Sequence, residues 1–329
     1  MGSFGHHPID SKNAESNSPR DVFFFAHTRT ASHVLCRLLS DQPGWGQSNY
    51  HFFEAFNFAR KAYGWGPLES ASQQDRDSFL GLLQKGCDEI QHVRKSAANE
   101  GKFLLLKEHT FYVWDPFKLS QSMWGGHEKS TFTVSPTSSD VLSNAKKTNP
   151  TLFPDSFLKT WRPIFLIRHP ALSFESWYRA ESGARDVDIF DKSWAFYTTF
   201  QYSRRLHDWY LSNATDSASM PIVIDADDMI EDPSTINKLC GMLGMDQQYV
   251  VREWDAIEAP KDAKPRELKF MSGYWNSTSI DKSKTSRDMD LDAKYSLWLD
   301  EFGANVGSEL RRLVEEAMPD YEYMKSKKI

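Results

Sequence analysis

Asp21-Val-Phe-Phe-Phe-Ala-His-Thr-Arg-Thr-Ala-Ser-His33 is the stretch whose reading decides the fold. The aromatic run Phe23 to Phe25 reads as a buried parallel strand, and His27 to Ser32 as a turn. From Ser32 onward Val34, Leu35, Leu38 and Leu39 recur at helical spacing. A strand that turns directly into a helix presents unpaired amides and the positive end of the helix dipole at the turn. Arg29 adds a formal charge there, and Thr28, Thr30 and Ser32 add hydroxyl donors, which is the layout of an oxyanion cradle. The competing reading is a plain strand-to-helix connection that happens to carry an arginine.

Outward from this turn, three more short apolar runs, at 102–107, 163–168 and 220–225, read as interior strands. Helical patterns lie between and after them, at 73–98, after Pro170, at 191–211 and after Pro233, where Ile236, Leu239, Cys240 and Leu243 share an apolar side. Strands separated by helices pair in parallel through right-handed crossovers. The expected class is therefore α/β, a three-layer fold whose central, mainly parallel sheet carries helices on both faces. Residues 1–20 are polar and rich in Gly, Ser, Asn and His, and read as a disordered leader. Residues 21–329 read as a single domain. Within it, residues 124–155 break the periodicity with Ser, Thr, Gly, Pro and Lys, and are expected to form a flexible loop or lid.

The 329 residues carry 39 basic and 45 acidic side chains, a net charge of −6, so any anion site must be local and neither nucleic acid nor an anionic membrane is an expected partner. Cys36, Cys87 and Cys240 are odd in number, far apart and embedded in apolar patterns, which predicts buried thiols and no disulfide framework. No run has the apolar length of a secretory signal or a membrane span, and a cytoplasmic location is expected. Asp225, Asp227 and Asp228 follow a strand without a matching set of further ligands, so a capped turn is expected there and no metal. Aromatics make up 14% of the chain, and the segments 45–65 and 194–210 are candidates to line a pocket for a flat small-molecule acceptor, although core packing accounts for most such rings. Arg204 and Arg205 on the second of these segments read as a solvated helix face.

A second chemical segment is Ile167-Arg-His-Pro-Ala-Leu-Ser-Phe-Glu-Ser176. Arg168 ends a strand, Pro170 starts a helix, and Ser176 follows two turns later, so an arginine and a hydroxyl can hold a phosphate ester from two sides. With both segments in view, the chain resembles the sulfotransferases that use 3′-phosphoadenosine 5′-phosphosulfate, closest in pattern to a microbial or fungal branch. The resemblance runs from Asp21 to Lys284 and rests on several segments in the right order. It implies a P-loop-like sulfotransferase fold. It also implies that the first segment, His27, Thr28, Arg29, Thr30, Ala31, Ser32 and His33, holds the 5′-phosphate and sulfuryl group, and that Arg168 and Ser176 hold the 3′-phosphate. Residues 223–244 resemble the late strand and helix of the family. Trp275-Asn-Ser-Thr-Ser-Ile280 and the lysines beyond resemble its C-terminal nucleotide loop, which assigns Ser277, Thr278, Lys282 and Lys284 to the nucleotide.

Carried over residue by residue, Arg29 takes the place of the family's catalytic lysine. It keeps the charge but donates a proton far less readily, so the implied role is electrostatic. Ala31 stands where many members have glycine. Lys107-Glu-His109 is similar to the Lys-x-His segment of the cytosolic members, which makes His109 the candidate general base and Lys107 the group that steadies the bridging oxygen. Glu54, His27 and His33 remain alternative bases. The implied reaction is sulfuryl transfer to a hydroxyl of a small, aromatic or polycyclic acceptor, in a protein that is a candidate homodimer. Because Arg replaces Lys and Ala replaces Gly, two other readings stay open: donor-independent acid–base chemistry in the same pocket, and a non-catalytic nucleotide-binding protein.

Overall fold

A computed structural model describes residues 19–126, 130–136 and 147–329. In chain order the main elements are β1 (Val22–Ala26), α1 (Ser32–Leu38), β2 (Trp45–Asn49), α2 (Phe53–Tyr63), α3 (Gln73–Asn99), β3 (Phe103–His109), α4 (Pro116–Trp124), α5 (Asp155–Leu158) and β4 (Arg162–Ile167). They continue with α6 (Pro170–Ser182), α7 (Gln201–Asn213), β5 (Ile222–Asp225), α8 (Ala226–Glu231), α9 (Pro233–Leu243), α10 (Pro265–Trp275), α11 (Leu291–Phe302) and α12 (Ala304–Lys325).

The strands form one sheet in the order β2-β3-β1-β4-β5, with every neighbouring pair parallel. All five residues of β1 are buried, and their side chains alternate between two cores. Phe23 and Phe25 pack with Leu104, Leu106 and Phe165 on one face, whereas Val22, Phe24 and Ala26 pack with Leu35, Leu105 and Leu239 on the other. A strand buried on both faces reads as a continuous apolar run, which is why β1 and β4 stand out in the sequence. The chain moves to one side of β1 for β2 and β3, and to the other for β4 and β5. In open parallel sheets the crevice beyond the strand C-termini at such a reversal is where ligands bind. Register puts the chemistry there: Ala26 pairs with His109 on one side and with Leu166 on the other. The turn after β1, the end of β3 and Arg168 therefore share one edge.

Three features depart from the sequence-based expectation. Trp45-Gly-Gln-Ser-Asn49 forms an edge strand, unread because half-buried and exposed residues without an apolar run make it up. The single helix expected over 191–211 is two elements, a 3₁₀ segment at Lys192–Tyr197 and then α7. Asp191 caps the first by accepting from the Ser193 amide. Two C-terminal helices, α11 and α12, complete the fold, and Tyr321 of α12 donates to Asp225 at the end of β5 over 2.8 Å.

Of the expected leader, residues 1–18 lie outside the described residues, as do 127–129 and 137–146 of the expected loop. The described flanks of that loop are held in place: the Val134 amide donates to Leu152 O, Leu152 N to Val113 O, and Lys147 Nζ to Asp115 Oδ2 at 3.2 Å. All three cysteines are free thiols, with Cys87 and Cys240 buried. Among the described residues no helix is long and apolar enough to cross a membrane, and no group of His, Cys, Asp or Glu has the arrangement to hold a metal ion.

Candidate active site

The turn between β1 and α1 is tightly wound. Arg29 and Ala31 both adopt left-handed backbone conformations with φ of 61°, a region that costs an L-residue about 1 kcal/mol and suits glycine. The Thr30 hydroxyl secures the turn by donating to His27 O at 2.8 Å. Ala31 occupies the N-cap of α1 without a side-chain cap, and Ser32 is buried in the first turn. His27 points away from the cradle. Its ring packs against Phe200 and Phe174 at 4.6 and 5.8 Å, and its Nδ1 donates to Thr28 O. Burial pushes its pKa down to about 4, so it is neutral at physiological pH.

Arg29 projects from the turn toward α6 and α10. Its Nε donates to Ser176 Oγ at 3.0 Å and its Nη1 to Phe270 O at 2.8 Å, with the guanidinium 5.2 Å above the Phe270 ring. Arg168, at the end of β4, donates through Nη1 to the Arg29 carbonyl at 2.9 Å and through Nη2 to Lys284 O at 3.0 Å. The two cationic strand ends and Ser176 thus form one connected site. Burial and the neighbouring Arg168 push the Arg29 pKa down to about 10, which leaves it a cation at neutral pH. Two donors are left over within this site: Arg168 Nε and Thr28 Oγ1 are buried and have no hydrogen-bond partner. Buried polar groups are normally paired, so this arrangement fits an oxyanion.

Beside the cradle, at the ends of β2 and β3, Lys107, His33, Tyr50 and His109 form a second group. The buried Lys107 ammonium lies 3.2 Å from His33 Nδ1 and 4.4 Å from the Tyr50 ring centre, and the Tyr50 hydroxyl reaches toward His33 Nε2 at 3.4 Å. Burial, followed by the charges of Lys107 and Arg29, lowers the His33 pKa to about 3. His109 Nδ1 lies 3.2 Å from Ala26 O. A carbonyl can only accept, so Nδ1 carries the proton and Nε2 is left as the basic nitrogen. Burial, then Lys107, holds the His109 pKa well below the usual imidazole value. Tyr50 and Tyr112 flank its ring at 4.9 and 5.2 Å.

The remaining sequence candidates lie elsewhere or at the rim. Glu54 is an exposed residue of α2 paired with Lys85 of α3, and contacts no cradle cation among the described residues. Ser277, Thr278, Lys282 and Lys284 line a cavity of about 560 Å³ bounded by Gly273 and the loop that follows α10. This loop meets the cradle where Arg168 donates to Lys284 O. Asp225 caps α8 through the Asp227 amide, Asp228 pairs with Lys328 at 2.6 Å, and Asp227 accepts from the Ser286 amide at 3.1 Å. Arg204 pairs with Asp320 at 2.7 Å, and Arg205 stacks over Trp114.

Sequence reasoning missed two site residues. Tyr50 follows the unread edge strand, and its left-handed backbone, φ 60°, turns it onto Lys107. Glu108 is fully buried, accepts from the His51 amide, and leaves its Oε2 unpartnered. Burial raises its pKa to about 8, so it is largely protonated at neutral pH. The signal available for it was an acid at the charged end of a strand that is apolar from Phe103 to Leu106.

No family model matches this chain. It is 32% identical to the sulfotransferase ppzF of Metarhizium rileyi over 343 residues, which cover 96% of this chain and 98% of that protein. It is also 32% identical to the sulfotransferase ppzF of Metarhizium majus, again covering 96% of this chain and 98% of the relative. A comparison of folds finds the sulfotransferase domain from the curacin biosynthetic pathway, at 14% identity and a TM-score of 0.45, covering 90% of this chain and 97% of that one. Two fungal relatives matched over nearly their full length show that the chain belongs to the sulfotransferase family and is an enzyme of that kind.

Proposed function

We propose that the chain transfers a sulfuryl group from 3′-phosphoadenosine 5′-phosphosulfate to a hydroxyl of a small acceptor. The observation that carries this reading is the contact between the two cradle segments, in which Arg168 donates to the Arg29 carbonyl while the Arg29 side chain holds Ser176. Arg168, Ser176 and the loop bearing Ser277, Thr278, Lys282 and Lys284 would hold the nucleotide, and Thr28, Arg29, Thr30 and Ser32 its sulfate-bearing end. The unpartnered Arg168 Nε and Thr28 Oγ1 support this fit. The donor supplies an activated sulfuryl group with a phosphate as its leaving group.

The chain's own residues do the rest. His109 Nε2 removes the acceptor's hydroxyl proton. Arg29 spends Nε and Nη1 on Ser176 and Phe270, and keeps Nη2 to face developing negative charge. Lys107, fixed by His33 and Tyr50, adds a second cation on the same side. Such preorganised charge and positioning supply most of the acceleration in transfers of this type.

Turnover with labelled donor and a panel of phenols and alcohols tests the reading. Arg29→Ala is expected to lower kcat by about 10²- to 10³-fold, with Arg29→Lys recovering most of it. Because the folded pKa of His109 is lowered, the acid limb of kcat/KM is expected below pH 6.5. Unchanged transfer in both Arg29→Ala and His109→Ala would overturn the assignment, and nucleotide binding without turnover on any acceptor would point to a non-catalytic nucleotide-binding protein.

A further inference from the structure

Next to Phe270, whose ring centre lies 4.3 Å from the Arg266 guanidinium carbon, is a cluster of charge that the transfer reaction does not use. Glu181 of α6 is fully buried, and three arginines from three parts of the chain converge on it. Arg266 of α10 grips it bidentately, Nε to Oε1 at 3.1 Å and Nη2 to Oε2 at 2.9 Å. Arg185 donates to Oε1 through Nη2. Arg60 of α2 places Nη1 3.5 Å from the same oxygen and gives Nη2 to the Tyr197 hydroxyl at 2.9 Å. Both Arg60 and Arg185 also pack on Trp194, its ring centre 4.8 and 4.9 Å from their guanidinium carbons.

One carboxylate balances the charge of one guanidinium. Two positive charges are therefore surplus here, and among the described residues Glu181 is the only acid in ion-pair contact with any of the three. The surplus shows at two buried nitrogens: Arg185 Nε has no hydrogen-bond partner, and Arg60 Nη1 makes no hydrogen bond beyond its 3.5 Å ion-pair approach to Glu181. Withdrawn charges are ordinarily paired. The side chains of Arg60, Arg185 and Arg266 are 17%, 34% and 35% exposed against 0% for Glu181, so solvent reaches parts of the arginine side chains and not the carboxylate. The cluster also adjoins the reacting groups. Arg266 and Arg29 share the Phe270 ring, at 4.3 and 5.2 Å. Arg266 also acts electrostatically on Tyr112, whose ring touches that of His109.

We propose that Arg60, Arg185 and Arg266 form an oxyanion subsite for the acceptor, so that the acceptor carries a carboxylate or phosphate in addition to the hydroxyl that receives the sulfuryl group. The inference rests on the sulfotransferase reading and narrows its acceptor from an apolar aromatic to an anionic hydroxyl compound. Glu181 holds the three guanidiniums together and partly neutralises them, which keeps the subsite assembled when it is empty.

Calorimetric titration of the full chain with 4-hydroxyphenylacetate and with 4-hydroxyphenylacetamide, each with and without saturating adenosine 3′,5′-bisphosphate, reads the subsite. The acid is expected to bind at least about tenfold more tightly than the amide, with inorganic sulfate and phosphate competing against the acid but not the amide. Arg185→Gln and Arg266→Gln should bring the acid-to-amide ratio toward one, and Arg185→Lys should restore part of it. Melting curves check that each variant folds, and if one does not, the wild-type comparison and the sulfate and phosphate competition still decide. Equal affinities for acid and amide, or a preference that survives both glutamine variants, would overturn the subsite. Failure of adenosine 3′,5′-bisphosphate to bind would contradict the sulfotransferase reading instead, and the nucleotide-free titration would still report on the arginine cluster.

Discussion

Glu108 and its neighbours in β3 show how one strand end supports opposite protonation demands. His109 is kept neutral by burial and by Lys107, whereas Glu108, on the other face, is kept protonated by burial alone. The folded pKa of Glu108, about 8, lies above its ordinary value of 4.5, so the folded state binds the extra proton between those limits. Stability from this residue is therefore fully present below pH 4.5 and is lost as pH rises through 8. Glu108→Gln, which keeps the shape and removes the titration, is expected to unfold with less loss of stability between pH 6 and pH 9 than the wild type. At pH 9 the variant should be the more stable by a few kcal/mol, on the order of 1.4 kcal/mol for each pKa unit. Denaturant curves at the two pH values check this, and a variant weakened more at pH 9 than at pH 6 would refute it.

The turn from β1 into α1 carries its own cost, since neither Arg29 nor Ala31 is glycine at a φ of 61°. Ala31→Gly is expected to stabilise the fold by about 0.5–1 kcal/mol, because glycine reaches this conformation without the Cβ clash; an unchanged or lower unfolding free energy would count against strain in the turn. This element was legible in the sequence because five buried residues and a hydroxyl-rich basic turn follow one another directly. Arg168 and Ser176 were legible for the same reason, lying just beyond a buried run and a helix-starting proline. What escaped was set by neighbours remote in sequence. The edge strand Trp45–Asn49 is bonded on one side only and has no apolar run to betray it. The site role of Tyr50 follows from that strand's register, and the arginine cluster joins residues 60, 181, 185 and 266, whose meeting only the packing of α2, α6 and α10 reveals. Glu54 shows the reverse: its aromatic surroundings drew attention, yet its carboxylate faces Lys85 at the surface.

In the assembled molecule, the site's far wall depends on the C-terminal third of the chain. Phe270 and Lys284 receive hydrogen bonds from the two cradle arginines, and α12 docks its fully buried Tyr321 on Asp225 at the end of β5. That hydroxyl-to-carboxylate bond ties the last long helix to the sheet edge from which α8 starts. Tyr321→Phe is expected to lower the unfolding free energy by about 1–3 kcal/mol, because it leaves a buried carboxylate oxygen without its donor; stability equal to that of the wild type would show that α12 docks without this bond. The joining of the β1 and β4 ends at one nucleotide is read by calorimetric titration of adenosine 3′,5′-bisphosphate into the wild type and into Arg168→Ala. The wild type should bind, and the variant should bind at least about a hundredfold more weakly with its fold intact. Equal affinity in the two proteins, or no binding to the wild type, would contradict a shared grip by Arg29 and Arg168.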